Sequence, residues 1–217
     1  MDTSPAPAPT SRRSRRLGTT LLIIAIALGA SACRPVYAGP EGPRIAVVGD
    51  SITNSATDEL DAELADSHRF LHGIDSIDLA EGRTQLVKPV ADTEPAVVVI
   101  ELGINSARES WDATDLVHLE QVLADLHSVP CVVWVTPTAL DGSYFDHLGE
   151  GTIASRIALF QASLNKRLPK HPNIHQADFG AVEVQYPEWF QADRMHLDDD
   201  GQLAYAAFVA DQVETYC

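Results

Sequence analysis

The sequence has 217 residues, 45% hydrophobic and 21% charged, which suits one globular domain with an ordinary core plus an extra segment and excludes a largely disordered chain. Its charge is unbalanced, with 31 Asp and Glu against 15 Lys and Arg for a net −16. Residues 1–32 hold four of the basic residues and one acidic residue, so the remainder carries 11 basic against 30 acidic residues, or −19. A body of that sign repels nucleic acid and anionic headgroups, and no nucleic-acid partner is expected.

Near the N-terminus, Arg12, Arg13, Arg15 and Arg16 precede an apolar run of 16 residues from Leu17 to Ala32. A basic stretch followed by an apolar one is the layout of a secretory signal, and the run is short for the ~20 residues of a spanning helix. Two processing points compete. Ala30-Ser31-Ala32-Cys33 resembles a lipoprotein signal box, in which Cys33 becomes the lipidated first residue, with Ala standing where Leu is usual. Val36-Tyr37-Ala38 offers small-residue cleavage after Ala38, and an uncleaved anchor is the third course. Residues 1–38 are thus assigned to the signal and a short tether, and residues 39–217 to the folded domain. Pro35 to Pro43 reads as a Pro/Gly tether. The protein is expected outside the cell membrane, attached through a lipid or signal anchor or secreted.

Along the body, Arg44 to Val48 reads as a buried strand feeding a turn at Gly49-Asp50-Ser51. Ala56 to Ala65 suits a helix capped by Asn54 or Ser55. Phe70 to Ile77 is a weaker strand and Thr84 to Val90 a helix. Ala96 to Ile100 is the clearest strand, an unbroken apolar run rich in β-branched residues. Leu116, Leu119, Val122, Leu123 and Leu126 fall at helical spacing, and Cys131 to Val135 is the next strand. Ile153, Ile157, Phe160, Leu164 and Leu168 mark a helix that Pro169 ends, Ile174 to Ala177 a short strand, and Gln202 to Tyr216 the closing helix, led by Asp198-Asp199-Asp200. Alternating strands and helices predict one α/β sandwich around a parallel sheet of about five strands. In an oxidising compartment Cys131 and Cys217 form a candidate disulfide that ties down the last helix; two independent thiols are the alternative.

Ligands of such sheets bind beyond the carboxyl ends of the strands. Four polar residues are placed there: Ser51, Asn105 after Gly103-Ile104, and the pair Asp193 and His196 before the closing helix. A serine hydroxyl becomes a nucleophile when an imidazole takes its proton, and a carboxylate fixes the tautomer of that imidazole. The developing oxyanion needs donors, and the backbone N–H groups of Ser51 and Gly82 with the amide of Asn105 are the candidates. Trp189 and Phe190, and Tyr144 and Phe145, are aromatic pairs that either line a substrate pocket or pack. Asp178, at the end of the last short strand, is assigned to structure. The other seven histidines lack metal-ligand spacing, so no metal is expected.

Gly49-Asp50-Ser51-Ile52-Thr53, Gly82, Gly103-x-Asn105 and Asp193-x-x-His196 together resemble the SGNH branch of the GDSL hydrolases over residues 44–214. The resemblance implies a flavodoxin-like three-layer α/β/α sandwich and a serine esterase without a cofactor. Ser51 would be the nucleophile, His196 the base and Asp193 its orienter, with Ser51, Gly82 and Asn105 forming the oxyanion hole. Thr53 in place of a second Gly argues against the nucleophile elbow of the α/β-hydrolase fold. Ser106 stands where the family usually has Asp, a change expected to alter loop support. The expected substrate is a small-molecule or glycan ester with a small acyl group such as acetyl. O-acyl transfer to a cell-envelope glycan and a non-catalytic surface binding module are the alternatives.

Overall fold

In the computed structural model, residues 35–137 and 150–217 are described. The signal-like segment with Cys33, and the pair Tyr144 and Phe145, lie outside them. Five apolar runs become strands: Arg44–Gly49 (β1), His68–Gly73 (β2), Val97–Glu101 (β3), Cys131–Val135 (β4) and Ile174–Ala177 (β5). Helices Ser51–Ser55 (α1), Thr57–Glu63 (α2), Leu79–Gly82 (α3), Lys88–Ala91 (α4), Ile104–Glu109 (α5), Ala113–Asp125 (α6), Glu150–Arg167 (α7), Gly180–Glu183 (α8) and Asp199–Tyr216 (α9) intervene.

The sheet order is β2-β1-β3-β4-β5 and every neighbouring pair is parallel. This is a flavodoxin-like order, in keeping with the fold that the resemblance implies, and its switch point lies between β1 and β3. The pleat sends alternate residues to opposite faces. Ala46, Val48, Val98, Ile100, Val132 and Trp134 share a core with Leu119 and Val122 of α6 and Phe160 and Leu164 of α7. Ile45, Val47, Val97, Val99, Val133 and Val135 share the other core with Leu60 of α2 and Tyr205 and Val209 of α9. Strands buried on both faces must be apolar throughout, which is why β1 and β3 show no alternation in sequence.

Several boundaries differ from expectation. The first helix begins at Ser51 itself, capped by the Asp50 carboxylate accepting from the Ile52 N–H, and it breaks at Ala56. Strand β2 runs from 68 to 73, and the Ile74 N–H adds the last rung of its ladder with β1 by donating to the Gly49 carbonyl at 3.0 Å. Helical turns begin at Leu79 and pass through a π turn over Arg83–Val87. Pro89 has no N–H for the Gln85 carbonyl, which favours that widened register. The expected Pro35–Pro43 tether is partly structured. Ala38 exchanges hydrogen bonds with Arg69 at 2.7 and 2.8 Å, and the Tyr37 hydroxyl meets Thr93 Oγ1 at 2.9 Å. Cys131, opening β4, and Cys217, beyond α9, form a disulfide.

Candidate active site

The turn after β1 is closely packed. A Cβ on Gly49 would stand 2.1 Å from Thr53 Oγ1 and 2.8 Å from the Glu101 carbonyl, so only glycine lets α1 fold back this closely against β3. Ser51 opens α1 at the carboxyl edge of the sheet. The second contributor is the loop before α9. Gln191 N–H donates to the His196 carbonyl at 2.8 Å, the Gln191 amide donates to the Leu197 carbonyl at 2.8 Å, and Phe190 pairs with Leu197. Met195 and Leu197 plug the loop into the two cores. Arg194 takes the left-handed conformation, φ 61°, which turns Asp193 back toward the following residues.

That turn explains the Asp-x-x-His spacing. Asp193 Oδ1 accepts from the N–H groups of Met195 and His196, each at 3.0 Å. Its Oδ2 lies 2.6 Å from His196 Nδ1. With Nδ1–H donating to Asp193, Nε2 is left unprotonated, and it stands 3.0 Å from Ser51 Oγ. The structure thus brings Ser51, His196 and Asp193 into one chain of hydrogen bonds. Burial pulls the Asp193 carboxyl upward, but the imidazole and the two backbone donors outweigh it and hold it below the usual aspartate range.

Gly82 is not brought to this site. It lies inside α3, its N–H donates to the Asp78 carbonyl at 2.8 Å, and a Cβ there would press on Leu102 Cδ1 at 2.7 Å. Its small size serves helix packing, and its N–H is not available to an oxyanion. The loop between β2 and α3 offers Ser76 instead, an exposed residue at φ 60°. Among the described residues neither Ser76 N–H nor Ser51 N–H has an acceptor.

Asn105, buried at the start of α5, ties these loops together. Its Nδ2 donates to Asp50 Oδ2 at 2.9 Å and to the Ile77 carbonyl at 3.2 Å. Ser106 keeps a supporting role without the usual carboxylate, because its hydroxyl accepts from the Leu79 N–H at 3.0 Å. Asp178 accepts from the Ala181 N–H in the first turn of α8, a structural contact. Phe190 is a core residue, and Trp189 stacks on Tyr186 with ring centres 4.1 Å apart. Residues missed in the sequence are Glu101 and Tyr205, which with Asp50 and Thr53 form a fully buried polar cluster behind the nucleophile turn. The signal for Glu101 is a single charge ending an otherwise apolar strand. Among the described residues no group of three or more His, Cys, Asp or Glu side chains is placed to hold a metal ion.

No protein-family model matches the sequence, and no curated protein matches it. Solved structures do match the fold. An alpha/beta hydrolase from the metagenome of Lake Arreo, Spain, has a TM-score of 0.64 at 16% identity, over 79% of this chain and 95% of that one. A catalytic mutant of an acetylxylan esterase from Geobacillus stearothermophilus has 0.63 at 15% identity, over 81% and 95%. The lipase/acylhydrolase from Enterococcus faecalis has 0.62 at 21% identity, over 81% and 98%. The chain shares the α/β/α fold of these hydrolases across nearly their whole length.

Proposed function

We propose that this chain is a serine ester hydrolase of the SGNH type that acts on small-acyl esters. The observation that carries the reading is the continuous Ser51–His196–Asp193 hydrogen-bond chain at 3.0 and 2.6 Å, at the carboxyl edge of a parallel sheet. His196 Nε2 takes the proton of Ser51 as Oγ attacks the ester carbonyl, and Asp193 steadies the imidazolium that forms. The imidazolium then gives its proton to the departing alkoxide, leaving an acyl-serine. Water, deprotonated by the same nitrogen, attacks the acyl carbon and releases the acid with Ser51 restored. The N–H groups of Ser51 and Ser76 serve the oxyanion, and Asn105 joins them by exchanging its longer bond, to the Ile77 carbonyl, for the oxyanion.

The acetylxylan esterase and lipase/acylhydrolase among the fold's neighbours support ester chemistry, and a glycan-borne acetyl ester is the substrate class we assign. For location, the docking of Tyr37 and Ala38 on the sheet edge supports processing at Cys33. Cleavage after Ala38 would remove a Tyr37 side chain that packs against Phe70 and His68. The test is turnover of 4-nitrophenyl acetate and butyrate by the purified protein and by Ser51→Ala. The wild type should hydrolyse both, faster for acetate, and Ser51→Ala should lose ~10⁴-fold or more in kcat. Equal turnover by the two proteins would overturn the reading.

A further inference from the structure

Two carboxyl groups are buried side by side behind the nucleophile, and the proposed mechanism uses neither. Asp50, Thr53, Glu101 and Tyr205 are all fully buried. Asp50 Oδ1 accepts from the Ile52 N–H at 3.0 Å, and Oδ2 from the Asn105 amide at 2.9 Å. Glu101 Oε2 has weaker partners, the Asp50 N–H at 3.2 Å and the Thr53 hydroxyl at 3.4 Å, and that hydroxyl is 3.1 Å from the Tyr205 hydroxyl. Glu101 Oε1 is buried with no partner among the described residues. The Asp50 N–H on Glu101 Oε2 and the pairing of Gly49 opposite Glu101 set the two carboxyl groups side by side, and among the described residues no lysine or arginine forms an ion pair with either.

Two adjacent carboxylates without a counter-ion cannot both be charged in a site that excludes water. Asp50 holds the stronger donors and keeps the charge, although burial disfavours it there too. Glu101 then carries the proton, and that proton supplies the donor the pair otherwise lacks. Burial and the neighbouring Asp50 carboxylate both drive the Glu101 carboxyl well above the ordinary glutamate range.

We propose that Glu101 is a positioning residue acting as a neutral acid: its proton binds the Asp50 carboxylate, which in turn holds the first turn of α1 and the Asn105 amide in place. The inference rests on the reading of Ser51 as the nucleophile. Asp50 is the junction, since its two oxygens grip the backbone that presents Ser51 and the side chain that joins the β2–α3 loop to it. Tyr205, reaching in from α9, closes the far end of the cluster through Thr53. The titratable groups facing Glu101 are Asp50 from the β1–α1 turn and Tyr205 from α9, with Glu183 of α8 beyond Tyr205, while Asp50 also senses His196 and Arg108.

The test compares wild type, Glu101→Gln and Glu101→Ala in 4-nitrophenyl acetate turnover and in urea unfolding between pH 5 and 8. Gln keeps a neutral donor and an acceptor in the same shape, so its kcat should stay within about threefold of wild type. Ala should lose about 10- to 100-fold in kcat with KM changed less than about threefold, because it misplaces the oxyanion donors and not the substrate. The folding constant of Glu101→Gln relative to wild type should rise with pH by up to about tenfold per unit, because only the wild type must retain a proton that its unfolded chain releases. Gln falling as far as Ala, or a folding-constant ratio independent of pH, would overturn the proposal. The second measurement decides the matter even if Ala does not fold. Full activity in Ser51→Ala would instead defeat the nucleophile reading, so the two failures are distinguishable.

Discussion

Replacing Cys131 and Cys217 together by Ser removes a cross-link between the first residue of β4 and the last residue of the chain, 86 positions apart. The chain-entropy relation assigns a closed loop of that length about 4.5 kcal/mol of stabilisation, acting through the unfolded state. The folded state should change little, because α9 stays seated by Tyr205, Ala206 and Val209, all fully buried. Most of the entropic value should therefore appear as lost stability, about 3–4 kcal/mol, or ~6–16 °C in Tm for a body of this size. Urea unfolding of the double variant and the oxidised wild type measures it. The variant should also show a steeper m-value, since its freed unfolded chain exposes more surface. A loss under ~1 kcal/mol with an unchanged m-value would refute the assignment of this bond as the staple of α9.

Asn105→Ala should lower kcat by ~10²–10³ with a much smaller change in KM, measured on 4-nitrophenyl acetate, because it removes an oxyanion donor and frees the β2–α3 loop. Asp193→Asn should lower kcat by ~10³–10⁴ by leaving His196 in the wrong tautomer. The same substitution tests linkage. The depressed Asp193 carboxyl contributes stability above the ordinary aspartate value near 3.9, and loses it as pH falls through its lowered value. The stability gap between wild type and Asp193→Asn should be full at pH 7 and start to close below about pH 4. If the proposed processing at Cys33 occurs, mass spectrometry of the mature protein should find a lipid-modified Cys33 at the N-terminus; a mature chain starting at Gly39 would contradict the docked role of Tyr37 and Ala38.

Much of the architecture is legible in the residues. Ala96 to Ile100 reads as a strand, one residue from the observed Val97–Glu101, because burial on both faces demands an unbroken β-branched run, and Leu119, Val122 and Leu123 read as a helix because one face alone is buried. Ser51, Asp193 and His196 are legible because the spacing of a serine, a base and its orienter is written in local turns. Gly82 misled because glycine signals a close approach without saying to what; here the neighbour is Leu102. The left-handed turn in the β2–α3 loop falls on Ser76, which carries no such mark in sequence. Nor does a sequence disclose that Asp50 and Glu101 meet, since their contact exists only once β1 and β3 pair in register, with Gly49 opposite Glu101.

The most direct measurement is the site of covalent capture. Treating the folded protein with a fluorophosphonate and mapping the adduct by peptide mass spectrometry should place one label on Ser51, lost in Ser51→Ala and slowed at least ~10³-fold in His196→Ala. A folded protein that takes no label, or takes it on another residue, would contradict the assignment of Ser51 as an activated nucleophile.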